Sequence, residues 1–244
     1  MVFIKSSSCK LQRKEEKMEY EIIGQTVPAV AVKMRRGDIM YSKPGAMVWR
    51  MGGISMTTST MGGLPAGLER TLANEPAFLT IYKSDSDNTE ITFGSSFPGS
   101  IVELDMKNGS IICQKGAFLC AEETVNLKVE YVGSVVAGML GGSGFILEKI
   151  VGIKGMAFLQ IFGDKIEKTL AAKETIRVSS DNLVAFDPSI TYNVEMVNGL
   201  GNVMFGGDGM FITRLTGPGR VIMQTQNFNN FAARVIAKIP KDRN

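Results

Sequence analysis

Histidine is absent from all 244 residues. That removes the commonest general base, the commonest transition-metal ligand and every Ser-His or Cys-His nucleophile pair. Cysteine is scarce as well: Cys9, Cys113 and Cys120 make an odd count with no CxxC spacing, which suits buried thiols in a reducing cytoplasm better than a disulfide framework. Charge is close to balance, with 27 Lys and Arg against 24 Asp and Glu, so the net +3 argues for neither nucleic acid nor a membrane surface. No transmembrane helix is expected, since the longest apolar stretch, Tyr131 to Gly142, is short and interrupted by glycine.

The N-terminus has the wrong order for a secretory signal, because its apolar stub precedes its charges. Lys14-Glu15-Glu16 can be encoded as AAG GAG GAG, a bacterial ribosome-binding sequence just upstream of Met18. The expectation is a natural start at Met18, with residues 1–17 a non-native leader.

What the chain has is a globular composition, 44% hydrophobic and 21% charged, and a repeat. Residues 117–152 align with 182–217 at a constant shift of 65 (182 − 117), without a gap. Eight of those 36 positions are identical, among them Val129/Val194, Glu130/Glu195, Gly141/Gly206 and Gly144/Gly209, and most others match apolar with apolar. A fainter copy starts at Gly45, where GAMVWRMGGISM resembles GAFLCAEETVNL from Gly116. These matches place three β repeats at about residues 20–97, 98–163 and 164–226, forming a single domain.

Inside a repeat the apolar residues alternate, as in Ile101-Val102-Glu103-Leu104, which is the period of a strand. Asn108-Gly109, Arg36-Gly37 and Ala172-Lys173 then read as hairpin turns between short strands. The expected fold is all-β, one barrel-like or β-helical-roll domain. Phe228, Phe231, Ala232, Val235, Ile236 and Ile239 break the pattern with helical spacing, which predicts one amphipathic helix over 227–240, packed on the β body.

Motifs that carry chemistry are few. The clusters GGSG (141–144) and GGDG (206–209) precede strand-like runs, not the helix that a phosphate loop needs to aim its amides. Glu130 and Glu195 read as outward residues of equivalent strands, and Asp208 lacks the alternating oxygens of a calcium loop. Trp49, Phe78, Phe118, Phe158 and Phe186 fall where side chains should fill a core. The apolar stretches 135–140 and 200–205 suit either self-association or burial beneath the helix. Lys149 and Arg214 are repeat equivalents, with Arg70 near the matching place in the first repeat, so a pseudo-threefold arrangement would gather three cations into an anion site.

At GDIMYSKPGAMVWRM, PGSIVELDM, GSGFILEKIVG and GDGMFITRLTGPGRVIMQTQ the chain resembles the family of uncharacterised bacterial proteins related to the yeast "altered inheritance of mitochondria" protein twenty-four. The resemblance covers about Glu21 to Pro240. It implies an all-β fold similar to the tryptophan RNA-binding attenuator protein, three structural repeats in one chain and a tendency to oligomerise; it carries over no catalytic residue. Together these readings lead to a non-enzymatic cytoplasmic scaffold or binding protein acting as a homo-oligomer, with no cofactor, no metal and no membrane span. The alternative is a nucleic-acid or anionic-ligand binder using Arg70, Lys149 and Arg214.

Overall fold

The computed structural model describes residues 18–59, 79–114, 116–130, 147–196 and 211–239. The described residues are all-β with one helix. A lead strand, β1 (Glu19–Ile23), precedes three sets of six. The first set is β2 (Ala29–Met34), β3 (Ile39–Ser42), β4 (Met47–Met51), β5 (Ile54–Ser59), β6 (Leu79–Ser84) and β7 (Thr89–Gly94). The second is β8 (Gly99–Asp105), β9 (Ile111–Gln114), β10 (Phe118–Glu122), β11 (Asn126–Glu130), β12 (Leu147–Val151) and β13 (Met156–Phe162). The third is β14 (Lys165–Leu170), β15 (Thr175–Ser179), β16 (Leu183–Phe186), β17 (Thr191–Met196), β18 (Phe211–Thr216) and β19 (Gly219–Gln224), followed by helix α1 (Phe228–Ile236).

Within every set the sixth strand lies between the first and third, and the fifth between the second and fourth, all antiparallel. Consecutive sets are then joined by β3 pairing with β10 and β9 pairing with β16. The result is four sheets: β1-β2-β7-β4, β5-β6-β3-β10-β13-β8, β11-β12-β9-β16-β19-β14 and β15-β18-β17. Among the described strands each sheet has two edges, so the sheets stack open and do not close into the barrel that the strand spacing suggests.

Three apolar cores separate the four sheets. Val32, Ile91 and Phe93 of the first sheet meet Met40, Tyr82 and Phe158 of the second. Tyr41, Leu104 and Leu159 of the second meet Cys113, Ile150 and Ile222 of the third. Leu147, Phe186 and Val221 of the third meet Val178 and Leu215 of the fourth. The middle sheets are therefore apolar on both faces, and this is why MAFLQIF in β13 is buried at every residue instead of alternating.

The turns expected to close hairpins are corners instead. Met106–Asn108 forms one turn of 3-10 helix, Asp105 accepts from the Lys107 N–H at 3.1 Å, and Gly109 takes φ of 95°. The strands on either side, β8 and β9, belong to different sheets, as do β2 and β3, and β14 and β15. Alternation and Asn-Gly chemistry fix a reversal of the chain, but the partner of the next strand is set by long-range packing.

Helix α1 starts where the spacing predicts, with the Asn227 side chain accepting from the Asn230 N–H at 2.8 Å. Its cover is a correction: none of its residues is buried, and its ring contact is Phe231 edge-on to Phe162 at 5.5 Å. Helical spacing specifies that one face is apolar; it does not supply a surface to cover that face.

Candidate functional site

The three strands that occupy the third place of each set carry the same irregularity. A β-bulge falls between Met47 and Trp49 in β4, between Phe118 and Cys120 in β10, and between Leu183 and Ala185 in β16. The bulged residues are thus Val48, Leu119 and Val184. Leu119 and Val184 are 2% and 1% exposed, whereas Val48 is 61% exposed. Trp49 follows the same rule: its counterparts Cys120 and Ala185 are wholly buried, and it is 38% exposed, a correction to its expected place in the core. Phe118, Phe158 and Phe186 do fill the core, and Phe78 lies outside the described residues.

The cause is topological. Strands β10 and β16 are covered on their outer edge by β3 and β9 of the preceding set. Among the described strands, β4 pairs with β7 on one side and is the edge of its sheet on the other. At the opposite end of the stack, β15 corresponds to β3 and β9 and is also an edge. Met51 on β4 is exposed as well, two residues along the strand from Trp49.

Each filled joint is also locked by a glutamine. Gln160 accepts from the Ser96 N–H at 2.8 Å and donates to the Gly116 carbonyl at 3.0 Å. Gln224 repeats this with the Phe162 N–H at 2.9 Å and the Asp181 carbonyl at 3.0 Å. Both grip the chain where one set passes to the next, Gln160 at Ser96 in the link itself and Gln224 at Phe162, the last residue of β13. The matching residue in the first set is Gly94, where a Cβ would come within 2.7 Å of Val48 Cγ2. A buried ion pair, Lys43 Nζ to Glu148 Oε2 at 3.2 Å, further ties the first set to the second.

Of the three cations singled out in the sequence, Lys149 and Arg214 fall on described strands. Lys149 lies in β12 between Lys128 and Ile112 of the neighbouring strands, and Arg214 in β18 between Asn193 and Arg177. These are matching positions in two different sheets, and the first set has Ile81 in that place. Arg70 lies outside the described residues, as do both glycine clusters and the stretches 135–140 and 200–205. Glu195 engages Arg214 at 3.4 Å and Arg177 at 4.0 Å.

Tyr20 and Cys120 both owe their shifts first to burial. Tyr20 donates to Glu103 at 2.8 Å, and burial, that hydrogen bond and the nearby Glu103 and Asp105 charges push its hydroxyl up to about 12. Its phenol thus stays protonated at neutral pH. Burial raises the Cys120 thiol well above its ordinary range, so it is not the thiolate that nucleophilic chemistry needs. Among the described residues no three His, Cys, Asp or Glu side chains gather as metal ligands, and no helix is long and apolar enough to cross a membrane.

A family model described as Mitochondrial biogenesis AIM24 matches residues 20–226. The chain belongs to this AIM24 family. It is 24% identical, over 224 residues and 89% of each chain, to an uncharacterized protein of Streptococcus pyogenes serotype M6. It is also similar to the X-ray structure of a Streptococcus pyogenes protein solved as a structural-genomics target. That likeness has a TM-score of 0.75 at 21% identity and covers 91% of this chain and 100% of the other, a shared fold.

Proposed function

We propose that this AIM24-family chain is a non-enzymatic cytoplasmic scaffold or binding protein that works as a homo-oligomer through its β body. In this reading the three sets of strands are three copies of one unit, at about residues 20–97, 98–163 and 164–226. The observation that carries it is the exposure of Val48 and Trp49 on an edge strand whose counterparts are buried by a neighbouring strand. Exposed apolar edges are unstable unless paired or covered. The lack of histidine supports a role without acid/base chemistry, and Cys113 and Cys120, both buried and outside any disulfide, suit a reducing compartment. Size-exclusion chromatography with light scattering should return an oligomer; a strict monomer at micromolar concentration rejects the reading.

A second reading, an anionic-ligand or nucleic-acid binder, draws on Lys128 standing opposite Lys149 on neighbouring strands. It requires binding that weakens steeply with salt and is reduced in Lys149→Ala and Arg214→Ala.

A further inference from the structure

The two ends of the stack are complementary halves of a sheet the molecule already builds twice. Each middle sheet consists of three strands in the order fourth-fifth-second from one set, followed by three in the order third-sixth-first from the next. The fourth sheet, β17-β18-β15, is the first of these halves standing without its mate. The first sheet, β4-β7-β2 with β1 added, is the second half standing without its mate. We infer that β4 of one copy pairs antiparallel with β15 of a second copy, head to tail, by the register of the β3–β10 and β9–β16 joints.

That register is explicit. In the filled joints Cys120 faces Ser42, Ala121 faces Tyr41 and Glu122 faces Met40, while Ala185 faces Cys113 and Phe186 faces Ile112. Transferred to the ends through the matching bulges, it sets Trp49 opposite Val178, Arg50 opposite Arg177 and Met51 opposite Ile176 of the second copy. Val178 and Ile176 belong to the third core. Trp49 and Val48 would then lie over the open side of that core, as Cys120 and Leu119 lie over the first. The combined sheet would have four plus three strands. Gly94 fits the same picture: a joint between copies has no connecting chain for a glutamine to grip. One feature opposes it, since Arg50 and Arg177 are like charges directly across the joint, offset in part by Glu195 beside Arg177. Such an interface uses two different surfaces, so it is heterologous and grows rings or filaments instead of isologous pairs.

This inference rests on the proposed oligomer and specifies its surface. The full chain is tested as it stands, with Trp49, the sole tryptophan, as reporter. Raising protein concentration should shift Trp49 emission to the blue in step with the rise in mass by light scattering. Val48→Lys, on a residue already exposed, should weaken association by about tenfold or more, because a charge would be buried at the joint. Arg50→Glu and Arg177→Glu should each tighten association by roughly two- to fivefold, and the double variant should fall below both, as opposed carboxylates replace opposed guanidiniums. An oligomer that survives Val48→Lys in a protein folded by circular dichroism, or Arg50 and Arg177 effects that simply add, overturns the β4–β15 joint and leaves the oligomer itself standing. A monomeric wild-type protein overturns both.

Discussion

Val48 and Leu119 sit at the same bulge, in strands with the same place in the pairing order, and one is on the surface while the other is in the core. Their own strands do not cause the difference. Both are medium-sized apolar residues in the same short, Gly-initiated run, and both strands hydrogen-bond to the sixth strand of their set. Leu119 is buried because β3 and the first apolar core come to it; no described strand lies beyond β4 to do the same for Val48. Burial in this fold is thus conferred by the neighbouring set, and the end of the array exposes what the middle conceals.

The sharpest way to break that comparison is to truncate both residues. Leu119→Ala should cost about 2–5 kcal/mol in denaturant unfolding, from lost transfer free energy plus the cavity left between two sheets. Val48→Ala, measured on dilute protein, should cost roughly 0.5 kcal/mol or less. Similar losses at the two sites would mean that β4 is covered within a single chain, and the comparison would collapse.

The same contrast explains what sequence could disclose. The gap-free match of residues 117–152 to 182–217 is a record of shared local geometry, and the two segments do carry matching strands and a matching bulge. Phe118, Phe158 and Phe186 were legible as core because apolar residues in central strands are buried on whichever face they occupy. Trp49 has the same local signature, but its exposure depends on which strand lies beyond it. The corners at Gly37, Gly109 and Lys173 were legible as reversals from their residue types, all three with positive φ, while the change of sheet was not. Likewise the α1 spacing fixes the helix and its cap without revealing that its apolar face is covered only in part, at Phe231 against Phe162. Local chemistry is written in residue type and period; neighbour identity is a property of the whole stack.

A smaller effect sharpens the comparison at the joints. Gln160→Ala removes the partner of both the Ser96 N–H and the Gly116 carbonyl, and should cost about 1–3 kcal/mol. Gln224→Ala should cost a similar amount, since its two bonds have the same geometry. Amide exchange of Ser96 and Phe162 respectively would report each loss locally. If either substitution accelerates exchange at both amides equally, the two joints are one cooperative unit and not two separate locks.

The smallest expected effect concerns the brace between the first two sheets. Tyr20 packs edge-on against Phe158 at 4.9 Å and donates to Glu103 on β8, so its proton holds β1 to the second sheet. The folded state raises this hydroxyl from its ordinary value of 10 to about 12. A raised value means the folded form holds the proton more tightly than the unfolded chain. The stabilisation is therefore complete below pH 10 and is lost as pH rises from 10 through about 12. Lysines titrate in the same range, so the measurement is the difference between wild type and Tyr20→Phe across that window. Wild type should be the more stable below pH 10, and its advantage should shrink as Tyr20 ionises against Glu103. An advantage that grew instead would place the phenolate beside a cation, and Glu103 would have to point elsewhere.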